Sequence, residues 1–257
     1  MNDHILTQQQ NQTLVVRLNR LERKNALTHD MYTRLGDALE QAHANDDIRC
    51  ILFTGDASCF TAGNDLGDFA AGLDGDFEST PVGRFLSLLA KATKPIVAAV
   101  NGAAVGVGTT MLLHCDLVYA GDNTGFQMPF VNLGLSPEAG SSLLLPMWFG
   151  RVRAAEMLLL GGTFSAEDAL RLGLINQICS PEETEARALA ACERLCAQPA
   201  AAVRATKQLL NRGSHQQLQD SMREEGRVFL ERLKSPEVAE ALAAFLEKRT
   251  PDFSKFS

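Results

Sequence analysis

Positive charge is scarce in this chain, tryptophan occurs once, and no apolar run is long. Lys and Arg number 24 against 31 Asp and Glu, a net charge of −7 at pH 7. That balance disfavours general affinity for nucleic acid or anionic membrane. An anionic ligand needs only a local basic patch. Apolar stretches are broken by Gly, Asn or charge well before the ~18 residues of a membrane span. The first twelve residues are polar with no apolar centre, so no secretory signal is expected and a cytoplasmic location is. The six cysteines are Cys50, Cys59, Cys115, Cys179, Cys192 and Cys196. They form no Cys-x-x-Cys pair. Cys192 and Cys196 stand one helical turn apart, but no histidine is spaced to complete a metal site with them. Reduced thiols and no metal are the expectation.

Hydrophobic residues make up 46% of 257 residues. That is enough for one large domain, or a main domain with a small appendage. Residues Thr13–Leu18 alternate and are β-branched, as in a strand. Thr28 is placed to cap a helix carrying Met31, Leu35, Ala38, Leu39 and Ala42 at helical spacing. Residues 48–54, Ile96–Val100 and 116–120 read as buried strands, and 107–113 as a short buried helix. Continuous apolar strands alternating with helices predict a mostly parallel sheet covered by helices, an α/β fold. Residues 69–81, rich in Gly, Asp and Ser, read as a mobile loop. Ser165 to Asp168 is a capping-box pattern, with Gly173 closing its helix. From Pro181 only helix signals appear, over 182–197, Ala200–Asn211, 218–233 and 236–248.

Two glycine-containing turns and one carboxylate carry candidate chemistry. The turn Asn101-Gly102 to Gly106-Val107-Gly108 follows a strand and opens a helix. It suits either close backbone approach to an anion or tight strand–helix packing. A dinucleotide fingerprint would need glycine where Met111 stands, and a P-loop its Gly-Lys-Ser/Thr. Ala62-Gly63-Asn64-Asp65-Leu66 also follows a strand, and its aspartate reads first as a helix cap. Glu138 follows Ser136-Pro137, an ordinary helix start. Its neighbours Phe130, Val131, Leu133, Leu135 and Leu143 to Leu145 are apolar. Burial raises a carboxyl pKa and a helix N-terminus lowers it, and together they can hold a general base in a useful range. His114 reads as a structural histidine.

Five segments in order give these features a context. They are Asn19-Arg20 with Lys24-Asn25-Ala26-Leu27, then Phe60 to Leu66, Lys94 to Gly102, Cys115 to Ala120, and Leu133-Gly134-Leu135. Together they resemble the enoyl-CoA hydratase/isomerase, or crotonase, family from about Thr13 to Cys179, with a similar tail near Phe245 to Pro251. The resemblance implies a spiral of ββα units over residues 1–197 and a helical C-terminal region, 198–257, used in trimer contacts. It implies a CoA thioester ligand, and a homotrimer or a hexamer built as a dimer of trimers. No cofactor is implied beyond the coenzyme A of the substrate. The thioester carbonyl would lie between the backbone N–H groups of Asn64 and Val107. The family usually has glycine at the second position.

Hydratases of the family carry two glutamates, at the places taken here by Thr110 and Phe130. Both are missing, and Thr and Phe cannot activate water and deliver a proton. The segment 133–142 instead resembles the Δ3-Δ2-enoyl-CoA isomerase branch, where one glutamate, matching Glu138, does the acid–base work. Ala62 and Leu66 would contact the adenine through their backbone, and Lys24 would lie near the CoA phosphates. Lys248, following Phe245, would reach CoA from the tail, of this subunit or a neighbour. Ala26, Asp65 and Leu133 complete the implied substrate-binding set, and Phe130 would keep the pocket dry. The competing readings are a hydratase, another crotonase reaction such as hydrolysis or ring cleavage, and a non-catalytic acyl-CoA-binding protein.

Overall fold

Residues 3–70 and 76–256 are described by a computed structural model. Strands β1 (Ile5–Gln10) and β2 (Thr13–Leu18) form a hairpin over Asn11-Gln12, with Asn11 at φ 52°. Asparagine tolerates that left-handed backbone, which two-residue hairpin turns require. Helix α1 (His29–Ala44) follows, and Thr28 caps it by accepting from the Met31 N–H. The helix buries Met31, Leu35, Ala38, Leu39 and Ala42, the stripe their spacing predicts.

A strand–strand–helix unit then repeats. Strands β3 (Cys50–Thr54) and β4 (Cys59–Thr61) lead to helices α2 (Leu66–Ala70) and α3 (Pro81–Ala90). Strands β5 (Ile96–Val100) and β6 (Ala103–Val105) lead to α4 (Val107–Thr110), which tightens into a 3-10 turn at Met111–His114. Strands β7 (Leu117–Gly121) and β8 (Gly125–Gln127) lead to α5 (Ser141–Phe149) and α6 (Arg151–Leu160). Next come β9 (Thr163–Ser165), α7 (Ala166–Leu172) and β10 (Gln177–Cys179). Only helices follow: α8 (Pro181–Cys196), α9 (Ala200–Asn211), α10 (His215–Leu233) and α11 (Pro236–Glu247).

Each repeat gives its first strand to one sheet and its second to another. The main sheet runs β1-β2-β3-β5-β7-β10 and the smaller β4-β6-β8-β9. Pairing is parallel except in β1–β2 and β8–β9. This is the spiral of ββα units with C-terminal helices that the resemblance implied. Strand alternation divides the apolar runs between two layers. Ile51, Phe53, Ile96, Ala98 and Val100 join the main core, whereas Cys50, Leu52, Val97 and Ala99 face Ala188 and Cys192 of α8. Strands buried on both faces read as unbroken apolar runs for this reason.

Some expectations need correction. Strand β1 shows no apolar period because only Ile5 of it is buried; Leu6 is exposed, and the polar residues 7–10 lie at the sheet edge. The loop expected over 69–81 is shorter. Residues 69–70 end α2, 71–75 lie outside the described residues, and Phe77–Ser79 form a 3-10 turn. Helix α3 then starts at Pro81, capped by Thr80, and buries Val82, Phe85, Leu86 and Leu89. Helix α10 begins three residues before the expected 218. Ser165 caps α7 and Gly173 ends it in the left-handed conformation, as the sequence pattern predicts. Among the described residues no helix is long and apolar enough to cross a membrane.

Candidate active site

The Asn64 and Val107 turns leave the adjacent parallel strands β4 and β6, in which Thr61 pairs with Ala104. They therefore emerge side by side at the strands' C-terminal ends. Glycine lets them meet. Gly63 sits at φ 88°, and a Cβ there would stand 2.8 Å from the Val105 carbonyl oxygen. A Cβ on Gly108 would stand 2.6 Å from Thr61 Cγ2. Tight packing and free backbone donors, the two readings of this turn, are here one arrangement. Leu27 N–H donates to Gly63 O at 2.8 Å, Asp65 N–H to Leu27 O at 2.8 Å, and Gly106 N–H to Gln127 O at 2.8 Å. Among the described residues the Asn64 and Val107 N–H groups have no acceptor. Val107 is the first residue of α4, so its backbone is helical and a β-branched side chain is accepted there, buried in the main core.

Glu138 does not start a helix, which corrects the Ser-Pro-Glu reading. Helix α5 begins three residues later, at Ser141, after Ala139 at φ 60° and Gly140 at φ 73°. Ser141 folds the turn back, donating its N–H and hydroxyl to the Glu138 carbonyl at 3.1 and 2.6 Å. The Glu138 side chain is buried. Thr110 Oγ1 donates to Oε1, and the buried Oε2 has no partner among the described residues. Burial pushes the carboxyl up to about 8; the Thr110 hydrogen bond pulls it down, and the Glu225 charge pushes it further up. The opposing pull thus comes from a hydroxyl rather than a helix start.

Two contacts tie the carboxylate to the turns. Thr110 lies one helical turn beyond Val107 in α4. Tyr32, from α1, donates its hydroxyl to Asn64 Oδ1. Burial and then the Glu138 charge raise the Tyr32 phenol, so that ring is near both. A cavity of about 90 Å³ opens beside Glu138. Phe77, Leu86, Ala90, Met222 and Gly226 line it, with Glu78, Lys91 and Arg223 also on its wall. Asn64 and Val107 do not line it.

The expected binding residues gather unevenly. Ala62 N–H donates to Lys24 O at 2.9 Å, and Leu27 bridges to Asn64, so Lys24, Ala26, Ala62, Asp65 and Leu66 surround one turn. The Lys24 side chain is exposed beside it. The Asp65 carboxylate is occupied: it accepts from Arg20 at 2.6 Å and from the Gly67 N–H at 2.9 Å, the capping role read first. Buried Phe130 receives the Leu133 and Leu135 N–H groups on its carbonyl, bending the chain towards Glu138. Neither Phe130 nor Leu133 lines the cavity. Phe245 and Lys248 are exposed at the end of α11.

Comparison with known proteins decides the family. The enoyl-CoA hydratase/isomerase family matches residues 8–255. The chain belongs to that family. It is 35% identical to the 1,2-epoxyphenylacetyl-CoA isomerase of Escherichia coli (strain K12), covering 99% of both chains. It is 33% identical to the 2,3-dehydroadipyl-CoA hydratase of the same organism, over 98% of this chain and 99% of that one. The solved structure of Pseudomonas aeruginosa OdaA superposes with a TM-score of 0.93 at 44% identity, covering 95% and 99% of the two chains. Isomerases and hydratases therefore both stand among the relatives.

In this member of the hydratase/isomerase family, the residues that sequence reading missed are those around Glu138. Thr110 marked only a missing glutamate, yet its hydroxyl holds Glu138. Tyr32 stands in no motif of the sequence, yet its hydroxyl reaches Asn64. Glu225 and His114 reach the turn after Glu138. His114 Nε2 lies 2.7 Å from the Ala139 carbonyl, and burial pushes its imidazole down to about 4, so it is a neutral donor, structural as expected. One signal for Glu225 was available: with Leu218, Met222 and Phe229 it falls on the apolar stripe of α10 at i, i+4, i+7, i+11 spacing.

Proposed function

We propose that this enzyme moves the double bond of a 3-enoyl-CoA to the 2-position. The observation that carries the reading is the lone buried carboxylate of Glu138, one oxygen held by Thr110 and the other free. Ionised Glu138 removes a proton from the α-carbon. The C–H electron pair delocalises through the thioester, giving a dienolate with charge on its oxygen. The Asn64 and Val107 amides receive that oxyanion; one such donor is typically worth ~2.7–4 kcal/mol. Protonated Glu138 returns the proton to the γ-carbon, and the double bond settles between the α- and β-carbons. Nothing is oxidised and no water is consumed, so no metal or cofactor is required beyond the substrate's own coenzyme A. A carboxyl pushed up to about 8 suits the task, since one group must both take and return the proton near neutrality.

The cavity beside Glu138 would take the acyl chain, and Lys24, with Lys248 of a neighbouring subunit, the CoA phosphates. Exposed Trp148, Val152, Leu159, Leu160, Phe245 and Leu246 are suited to subunit contacts in a trimer. With Thr110 and Phe130 at the hydratase positions, no second carboxylate activates water. The test is incubation with 3-enoyl-CoA and 2-enoyl-CoA side by side. Rapid conversion of the first and slow hydration of the second are expected. Comparable rates would restore the hydratase reading.

A further inference from the structure

We infer that Glu225, on α10, is a positioning residue for this reaction: it fixes the turn that aims Glu138 at substrate. The inference rests on Glu138 being the base. The turn after Glu138 is strained. Ala139 holds φ 60° without being glycine, and such a residue persists only where its surroundings over-determine it. Three groups do so: Ser141 from within the turn, His114 Nε2 on the Ala139 carbonyl, and Glu225. Glu225 Oε2 accepts from the Gly140 N–H at 2.6 Å and Oε1 from the Ser142 N–H at 2.8 Å. Helix α5 has no side-chain cap of its own at Gly140. Its first donors are instead satisfied by a carboxylate more than eighty residues downstream in sequence.

A local Ser or Thr would cap α5 without bringing a second buried carboxylate close to Glu138. Glu225 is 7% exposed and has no ion pair among the described residues. Burial pushes the Glu225 carboxyl itself up, while the hydrogen bonds from Ser142 and Gly140 pull it down; in its ionised form it acts on Glu138 through space and favours the protonated form of that residue. The groups facing Glu138 are Tyr32 from α1, His114 from the 3-10 turn, and Glu225 from α10, with Glu78, Lys91 and Arg223 on the cavity wall. Of the ionisable ones, Glu225 alone grips the backbone on the C-terminal side of the base with both oxygens. Glu225 thus bears on both the position and the proton affinity of Glu138, the second after burial and the Thr110 hydrogen bond.

The experiment compares wild type with Glu225→Gln, Glu225→Asp and the exposed control Glu224→Gln. Two quantities are read: kcat and KM for 3-enoyl-CoA, and the ¹³C titration of the Glu138 carboxyl, assigned by its absence in Glu138→Gln. For Glu225→Gln the Glu138 midpoint moves to lower pH. Its kcat falls by about tenfold or more with KM little changed, within the ~10²-fold cost of a 1 Å misplacement. Glu225→Asp keeps the charge and shortens the reach, so kcat falls while the midpoint stays near wild type. Glu224→Gln changes neither. A folded Glu225→Gln enzyme with the wild-type midpoint, or with unchanged kcat, overturns the inference. If that variant does not fold, a folded Glu225→Asp with wild-type kcat does so. The titration needs no substrate. If wild type fails to turn over 3-enoyl-CoA, the reaction assignment falls, while the titration still reads whether Glu225 acts on the proton affinity of Glu138.

Discussion

The Asn64–Val107 half of the site is held by main chain, and the Glu138 half by side chains from distant elements. In the first half, two neighbouring strands deliver two amides, and Gly63 and Gly108 let the turns touch. In the second, Thr110, His114 and Glu225 converge from α4, the 3-10 turn and α10 on a single strained turn. The difference teaches where each half is vulnerable. The donor half should tolerate side-chain change but not loss of an N–H. The Glu138 half depends on groups far away in sequence, and its proton affinity should shift when one of them changes.

The largest effect expected is on the base itself. Glu138→Gln should lose ~10²–10⁴ of the isomerisation rate, the usual worth of acid–base catalysis, and still bind CoA thioester. A folded variant keeping more than about a tenth of the rate would break the comparison by removing this residue from the mechanism. On the donor side, Val107→Pro removes the N–H and should cost ~10²–10³ in kcat. Val107→Gly should be close to wild type, with thermal unfolding of both as the control for folding. If folded Val107→Pro turned over normally, the glycines would be there for packing alone.

A smaller effect sharpens the contrast. Thr110→Val removes the hydroxyl that favours ionised Glu138. Because the base must be ionised, kcat/KM should rise with pH and level off above about 8 in wild type. In the variant that limb should move to higher pH, with about tenfold less activity near neutrality. A pH–rate profile checks this, and an unmoved limb would show that Thr110 does not tune the base. Stability should show the converse cost. Burial raises Glu138 above its ordinary 4.5 to about 8, so the folded state binds that proton more tightly than the unfolded chain. The resulting stability is complete below about pH 4.5 and is lost as pH rises to about 8. The Tm of Glu138→Gln relative to wild type should therefore be higher at pH 9 than at pH 5.

Legibility in the sequence followed the same division. Strands β3, β5 and β7 announce themselves as apolar runs, and Thr28, Ser165 and Gly173 mark helix ends by local chemistry. The glycines at 63, 106 and 108 point to the donor turns because backbone geometry is a local property. Strand β1 did not, since an edge strand of glutamines has one buried residue and no apolar period. The Ser-Pro-Glu triplet misled for a related reason. It satisfies the helix-start rule, but Ser141 and Glu225 bend the chain first and helix α5 waits until residue 141. Nothing near position 138 in sequence encodes Glu225. Only the stray carboxylate on the apolar stripe of α10 hints at it.

The central claim is that one carboxylate carries one proton from the α- to the γ-carbon. Single turnover of 3-enoyl-CoA deuterated at the α-carbon, run in ordinary water, tests it most directly. A shuttle through buried Glu138 predicts that part of the α-deuterium reappears at the γ-carbon of the 2-enoyl product. Full conversion with no deuterium at that carbon would mean that the incoming proton comes from another group or from water, and would contradict the account.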